Sequence, residues 1–341
     1  MARKKSYLKG LYSLAVNVGL DWFILALIGM IILAYLWPDP GIQKGIFSLK
    51  SIAGYGVSLI FFFYGLRLSR DQMIAGLSNW RLHLVVQIST FFLFPLLILG
   101  IKSVFGENGN ELFWLGVFYL AALPSTVSSS VVMVSIAGGN ISAAIFNASI
   151  SSLIGIFITP VWMGVVLSRT VDAFDLTDVI LKLVVQVLVP VIMGILLHKR
   201  FGAFAGRHRK KFRYFDQSII LLIIYTAFSE SFARNMFESH GIRDILMLGI
   251  FMVALFFFFY GLITFISRLF GFNREDKITA VFCGSKKSLV HGTVMSKVLF
   301  PNVPAAGVIL LPLMIYHALQ LMIASVIAQG MAKKDTISTN E

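Results

Sequence analysis

Carboxylates are scarce in this chain: 16 Asp and Glu stand against 29 Lys and Arg among 341 residues. Charged side chains of both signs reach only 13%, too few to clothe a water-soluble domain of this length. Cys283 is the single cysteine, so an internal disulfide is excluded and no thiolate metal cage follows from it. Nucleophilic triads, metal-spaced clusters and phosphate-cradling glycine loops are all missing, and Gly138-Gly139 reads as a hairpin turn. The longest gap between apolar runs is the basic stretch around His198 to Arg213, which leaves no room for a soluble catalytic domain. The chain is not read as an enzyme. No cofactor is assigned beyond a coupling Na+ or H+.

What is abundant is apolar surface, at 57% of residues, in runs near 20 residues long that recur from end to end. About 20 such residues cross a hydrocarbon core, where only helices or closed barrels can hide the backbone. Alternating strand-like segments are absent, so the fold class is an all-α polytopic membrane protein. Ten spans are expected, roughly 20–37, 51–68, 82–102, 111–137, 140–167, 177–198, 213–233, 244–268, 277–299 and 303–331. Phe61 to Tyr64 and Phe256 to Tyr260 read as lipid-facing or packing aromatics, and Asp21 with Trp22 as an interfacial anchor.

The net charge of +13 would suit a nucleic-acid partner, but the cations are placed as a topology signal. With the N-terminus inside, 19 Lys and Arg fall near inner ends and 7 near outer ends. That asymmetry implies a multi-pass cell (inner) membrane protein with both termini cytoplasmic, and a lipid bilayer rather than nucleic acid as partner. The basic N-terminal tail lacks a cleavage pattern and reads as retained, while the polar tail 332–341 is expected to fray in the cytoplasm.

Ten spans divide at the loop carrying Asp172, Asp175 and Asp178 into 20–167 and 177–331, five spans each, so the halves are inverted. Val132-Met133 and Asn140-Ile141-Ser142-Ala143-Ala144 match Val294-Met295 and Asn302-Val303-Pro304-Ala305-Ala306 at an offset of 162 residues. The same offset sets Pro124, Ser125 and Thr126 against Lys286, Lys287 and Ser288. At 1.5 Å per residue, Lys286 lies about 14 Å past Lys277 and Ser125 about 21 Å past Glu111, both near the bilayer middle.

Two adjacent lysines at that depth cost roughly 2.5–3.5 kcal/mol each, so they should face a protein interior or a watery cavity. Pro124 removes a backbone donor and Gly284 loosens its turn, the interruptions that let transporter helices bind solute and ion. Ser125, Thr126, Ser128, Ser129 and Ser130 supply hydroxyls after the proline. Asn147 and Ser149 follow on the next span, and Gly284, Ser285, Lys286, Lys287 and Ser288 line the opposite break. Glu230 is a candidate charge partner for the lysines, but its place four residues before Arg234, near the outer end, favours a surface helical pair. His291 and His317 read as satisfied interior donors.

At Gly284-Ser285-Lys286-Lys287-Ser288, and along Pro124 to the Ala-Gly-Gly-Asn ending at Asn140, the chain resembles the bile acid:sodium symporter superfamily. It is most similar to the symporter-like branch of bacterial proteins and the orphan seventh member of the vertebrate solute-carrier-10 family. The resemblance implies a panel domain of spans 1, 2, 6 and 7 and a core domain of spans 3–5 and 8–10, with spans 4 and 9 broken and crossing. In sodium-coupled members one ion sits among groups of spans 4, 5 and 9, and a second uses the same carboxylate with glutamines of spans 3 and 9. Carried onto this chain, the span 4 pair falls on Ser129 and Ser130, near which a sodium ion would lie, and the span 5 positions fall on Ala144 and Ala148. The carboxylate falls on Phe282, its neighbouring glutamine on Lys286, and the span 3 glutamine on Thr90.

These departures argue against two-sodium coupling and suggest that the Lys286 ammonium replaces one ion by donating to the groups that would have held it. Lys287 would then face the same cavity or an anionic substrate. A buried lysine can also load and release a proton. The resulting expectation is a cation-coupled secondary transporter of a small organic anion or amphipathic solute, with a homo-oligomer left open. A non-transporting membrane regulator, for instance of calcium entry, and a lysine-lined uniporter are the other readings.

Overall fold

A computed structural model describes residues 22–67, 79–105, 111–170, 181, 184–238, 241–300 and 303–338. Asp21, the Asp172 to Asp178 loop, Lys182 and Asn302 lie outside the described residues. Every regular element among the described residues is helical. In chain order they are α1 (Trp22–Leu36), α2 (Leu49–Arg67), α3 (Trp80–Ile88, a π-helical turn Ser89–Leu93, then Phe94–Phe105), α4 (Glu111–Ala122), α5 (Ser128–Ile136) and α6 (Ile141–Thr170). They continue with α7 (a π-helical turn Val184–Leu188, then Val189–Arg207), α8 (Arg209–Ala233), α9 (Ile242–Leu269), α10 (Arg274–Gly284), α11 (Leu289–Leu299) and α12 (Ala306–Ser338); a single turn Asp39–Ile42 links α1 to α2.

Six of the described helices are long and apolar enough to cross a membrane by themselves, in α2, α3, α6, α7, α9 and α12. The other expected spans fall short for identifiable reasons. Helix α1 is brief, α8 carries charge at both ends, and the spans expected at 111–137 and 277–299 are each two short helices about a break. Helix α12 runs on to Ser338 beyond the predicted end at 331, since Ala332, Lys333 and Lys334 are good helix formers. Leu246, Ile250, Phe257, Phe258 and Phe265 of α9 are exposed while Phe256 and Phe259 are buried. That is the outward apolar face a bilayer requires.

Glycine sets the closest crossing. A Cβ on Gly65 of α2 would strike the Val191 carbonyl of α7, and one on Gly194 would strike the Phe62 carbonyl, so these two backbones touch directly.

Three helix starts converge on Asp276. Asn79 caps α3 by accepting from Leu82 N at 3.4 Å, Asn140 caps α6 by accepting from Ala143 N at 3.0 Å, and Asn273 caps α10 by accepting from Asp276 N at 2.8 Å. The amides of Asn79 and Asn140 both donate to the buried Asp276 carboxylate, at 2.6 and 2.9 Å. Gly138, at φ 71, turns the chain from α5 towards this cap. Asp276→Ala leaves both amides without their acceptor and is expected to cost about 2–4 kcal/mol, read as a lower melting temperature of the detergent-solubilised protein; an unchanged melt would refute the role given to Asp276.

Candidate functional site

The break between α4 and α5 can be followed through its backbone groups. Pro124 has no N–H for the preceding turn, and Ser125 N leaves the helix to donate to Ser151 Oγ at 3.0 Å. The carbonyls so released find other donors: Ala122 O takes Thr159 Oγ1 at 2.8 Å, while Ala121 O and Leu123 O take Lys287 Nζ at 2.6 and 2.9 Å. Gly155 lets α6 pack on the kink, since a Cβ there would stand 2.8 Å from the Pro124 ring.

The second break, between α10 and α11, is locked onto the first. Cys283 O accepts from Ser125 Oγ, Phe282 O from Ser130 Oγ at 3.1 Å, and Ser288 N donates to Pro124 O at 2.9 Å. Tyr119 of α4 donates to Gly292 O of α11 at 2.6 Å. Helix α12 completes the seal, with Tyr316 OH on Ser285 O at 2.7 Å and Gln320 clasping the Lys287 backbone, Oε1 to N at 2.8 Å and Nε2 to O at 2.7 Å. Ser288 caps α11 by accepting from His291 N at 3.3 Å.

Both lysines are fully buried, but their situations are opposite. Lys287 Nζ spends all three donors on carbonyls, those of Ala121, Leu123 and, at 2.8 Å, Thr90 in the π-helical turn of α3, and it lies 4.2 Å from the centre of the Phe94 ring. Lys286 Nζ has no hydrogen-bond partner among the described residues. The ammonium that donates to released carbonyls is therefore that of Lys287, and the expectation that Lys286 would do so, with Lys287 facing the same cavity or a substrate, is corrected in the identity of the donor. The reason is direction: at the break between α10 and α11 it is the Lys287 side chain that is aimed at the carbonyls of Thr90, Ala121 and Leu123.

The hydroxyls mostly satisfy one another or a backbone. Ser129 donates to Thr126 at 2.9 Å, Thr126 and Ser130 share a bond of 2.7 Å, and Ser285 turns back to Val281 O at 2.7 Å. The Ser128 side chain lies outside the described residues. On α6 it is Ser151, not Ser149, that reaches the break. Ser149 offers its carbonyl to Tyr64 OH at 2.9 Å, and Asn147 accepts from Gln87 at 3.2 Å while donating to Ala143 O at 3.0 Å. Gly284 packs against Ile263, and Thr90 contributes its carbonyl, its hydroxyl being held by Val86 O at 2.8 Å.

Glu230 is paired with cations other than the two adjacent lysines. It meets Lys50 at 3.0 Å and Arg234 at 3.5 Å, so the outer-end reading applies and the charge-partner assignment is withdrawn. Together with Thr226 and Lys297, which are joined at 3.2 Å, it lines a cleft between α8 and α11. At the other end of α2, Arg67 pairs with Asp216 at 3.1 Å beside a cleft lined by Phe61, Tyr64 and His291. His291 bonds Ser288 Oγ at 3.0 Å and His317 bonds Gln320 at 3.0 Å, satisfied as expected.

Sequence reasoning passed over Asp276, Ser151, Thr159, Tyr316 and Gln320. The last two were detectable as polar side chains one helical turn apart, with His317 between them, in a run that is apolar on either side. The donor set does not fit two sodium ions: Phe282, Ala144 and Ala148 are buried without an oxygen to offer from their side chains.

An apolar-faced bundle with two broken spans interlocked over buried ammonium groups is a multi-pass membrane protein of the transporter class. The chain belongs to the SBF-like CPA transporter family, whose model matches residues 21–333. It is 39% identical over 312 residues to YfeH of Escherichia coli K12, by name a candidate symporter, covering 91% of this chain and 92% of that one. It is 31% identical over 310 residues to Sodium/bile acid cotransporter 7 of Mus musculus, covering 90% and 91%, and 40% identical over 316 residues to a Pseudomonas aeruginosa protein named only as uncharacterized, covering 92% and 93%. The family resemblance read at the paired lysines is borne out, and the family is one of transporters rather than enzymes.

Proposed function

We propose that this chain is a secondary active transporter that moves an organic anion or amphipathic solute by alternating access, coupled to a cation. The observation that carries the reading is Lys286: a fully buried ammonium with no partner among the described residues, at a break where helix ends meet. Retaining such a group costs stability, which argues for a role in binding or coupling. A positive group beside the N-terminal ends of α5 and α11 favours a negatively charged solute, and the relatives named as sodium/bile acid cotransporters support an amphipathic acid.

The arrangement we favour is ten spans in two inverted halves, 20–167 and 177–331, placed in the inner membrane with both termini in the cytoplasm. A shift of 162 residues carries the bounds of α4 and α5 to within one residue of those of α10 and α11, which supports the repeat. Clefts at opposite ends of α2, each facing α11, are the candidate approaches for solute from the two sides. Because the donors do not fit two sodium ions, a proton carried by Lys286 is the preferred coupling.

Uptake of labelled organic acids and sterol conjugates into proteoliposomes, with sodium, pH and potential varied independently, tests this. Saturable uptake driven by an imposed pH gradient is expected. Uptake that follows potential alone would point to a uniporter, and no saturable uptake of any acid would favour a regulator.

A further inference from the structure

We propose that the carbonyls of Thr90, Ala121 and Leu123, floored by the Phe94 ring, form a monovalent-cation site whose resident occupant is the tethered ammonium of Lys287. Three oxygens at 2.6–2.9 Å surround Nζ, and the aromatic face lies at 4.2 Å on a further side. No carboxylate lies within ion-pair distance of it among the described residues. The shell is therefore neutral and made of dipoles, the kind of surround that binds ammonium-like or alkali cations rather than a divalent ion.

The site is built by backbone geometry and not by the lysine. The π-helical turn Ser89–Leu93 widens the helical register and presents Thr90 O, and the interruption at Pro124 presents Ala121 O and Leu123 O. Phe94 is itself fixed, stacked on Phe259 with ring centres 3.3 Å apart. Removing the ammonium would leave three inward-facing carbonyls unsatisfied in a sealed interior. A small cation of matching size can satisfy them. Occupation by a tethered cation also means that this site never empties during a transport cycle, so coupling has to run through another group.

The test uses the full-length protein in detergent and reads the melting temperature, so it does not depend on any transport activity and can fail separately from the transporter reading. Lys287→Ala opens the cage and the channel left by the lysine stem. It is expected to melt at least about 5 °C below the unaltered protein. Ethylammonium or propylammonium chloride should restore more than half of that loss, choline chloride at the same ionic strength should restore none, and the unaltered protein should respond equally to both. A folded Lys287→Ala protein that responds identically to every cation overturns the proposal. Should that variant fail to fold, Lys287→Arg, which brings its own cation, is compared with Lys287→Gln. The arginine form is expected to melt higher by about 5 °C or more, and equal melting of the two overturns the proposal.

Discussion

Lys286→Met is expected to make the protein more stable and the transporter inactive. The side chain is fully buried and its Nζ has no hydrogen-bond partner among the described residues. Methionine keeps the length and apolar volume of the stem while removing the unsatisfied group, which should raise stability by about 1–3 kcal/mol. If Lys286 carries the coupled charge, its loss removes a coupling free energy and with it about tenfold or more of the apparent affinity for solute. Lys286→Gln, which keeps polarity without charge, should recover neither uptake nor its dependence on pH. Melting curves and proteoliposome uptake on the same preparations decide it. A variant that is destabilised, or that transports normally with unchanged ion dependence, would show Lys286 to be structural. The contrast with Lys287 is the sharpest feature of this site: adjacent residues of one type, substituted alike, should shift stability in opposite directions.

The second large effect is expected at the α2–α7 crossing. Gly65→Leu or Gly194→Leu places a side chain where a backbone carbonyl already stands, and neither helix can answer by rotating a flexible group. Overpacking of this kind costs about 1–3 kcal/mol or more, and here it also displaces the helix that carries Phe61, Tyr64 and Arg67 towards α11. Either variant should give less folded protein in size-exclusion chromatography and a lower melt, whereas leucine at Gly54, where an added Cβ meets nothing within 4 Å, should be tolerated. Equal behaviour at the two kinds of position would show that the crossing is not close-packed.

How much of the site was legible beforehand can be judged residue by residue. Pro124 and the lysine pair marked the two breaks correctly, because a missing N–H and a charge in hydrocarbon are properties of single positions. The serine run was also recognised, yet its bonds were not, since Thr126, Ser129 and Ser130 meet one another, and Ser130 the Phe282 carbonyl, only after α5 winds. Asn140 stood out in a glycine-rich turn, but Asp276, 136 residues away, is what gives it a purpose. Glu230 looked like a partner for the lysines because it is acidic and intramembrane. Of its two partners Arg234 was legible four residues on, whereas Lys50 lies 180 residues earlier and could not be paired with it from hydropathy.

Membrane residence, helical architecture and the positions of two interruptions along the chain follow from composition and spacing, because a bilayer imposes its constraint on every residue of a span independently. Which ammonium would be enclosed and which left unpartnered depended on contacts spanning 164 to 197 residues of chain. An ammonium takes whatever oxygens surround it, and folding alone brought the carbonyls of α3 and α4 to Lys287 while leaving Lys286 without any.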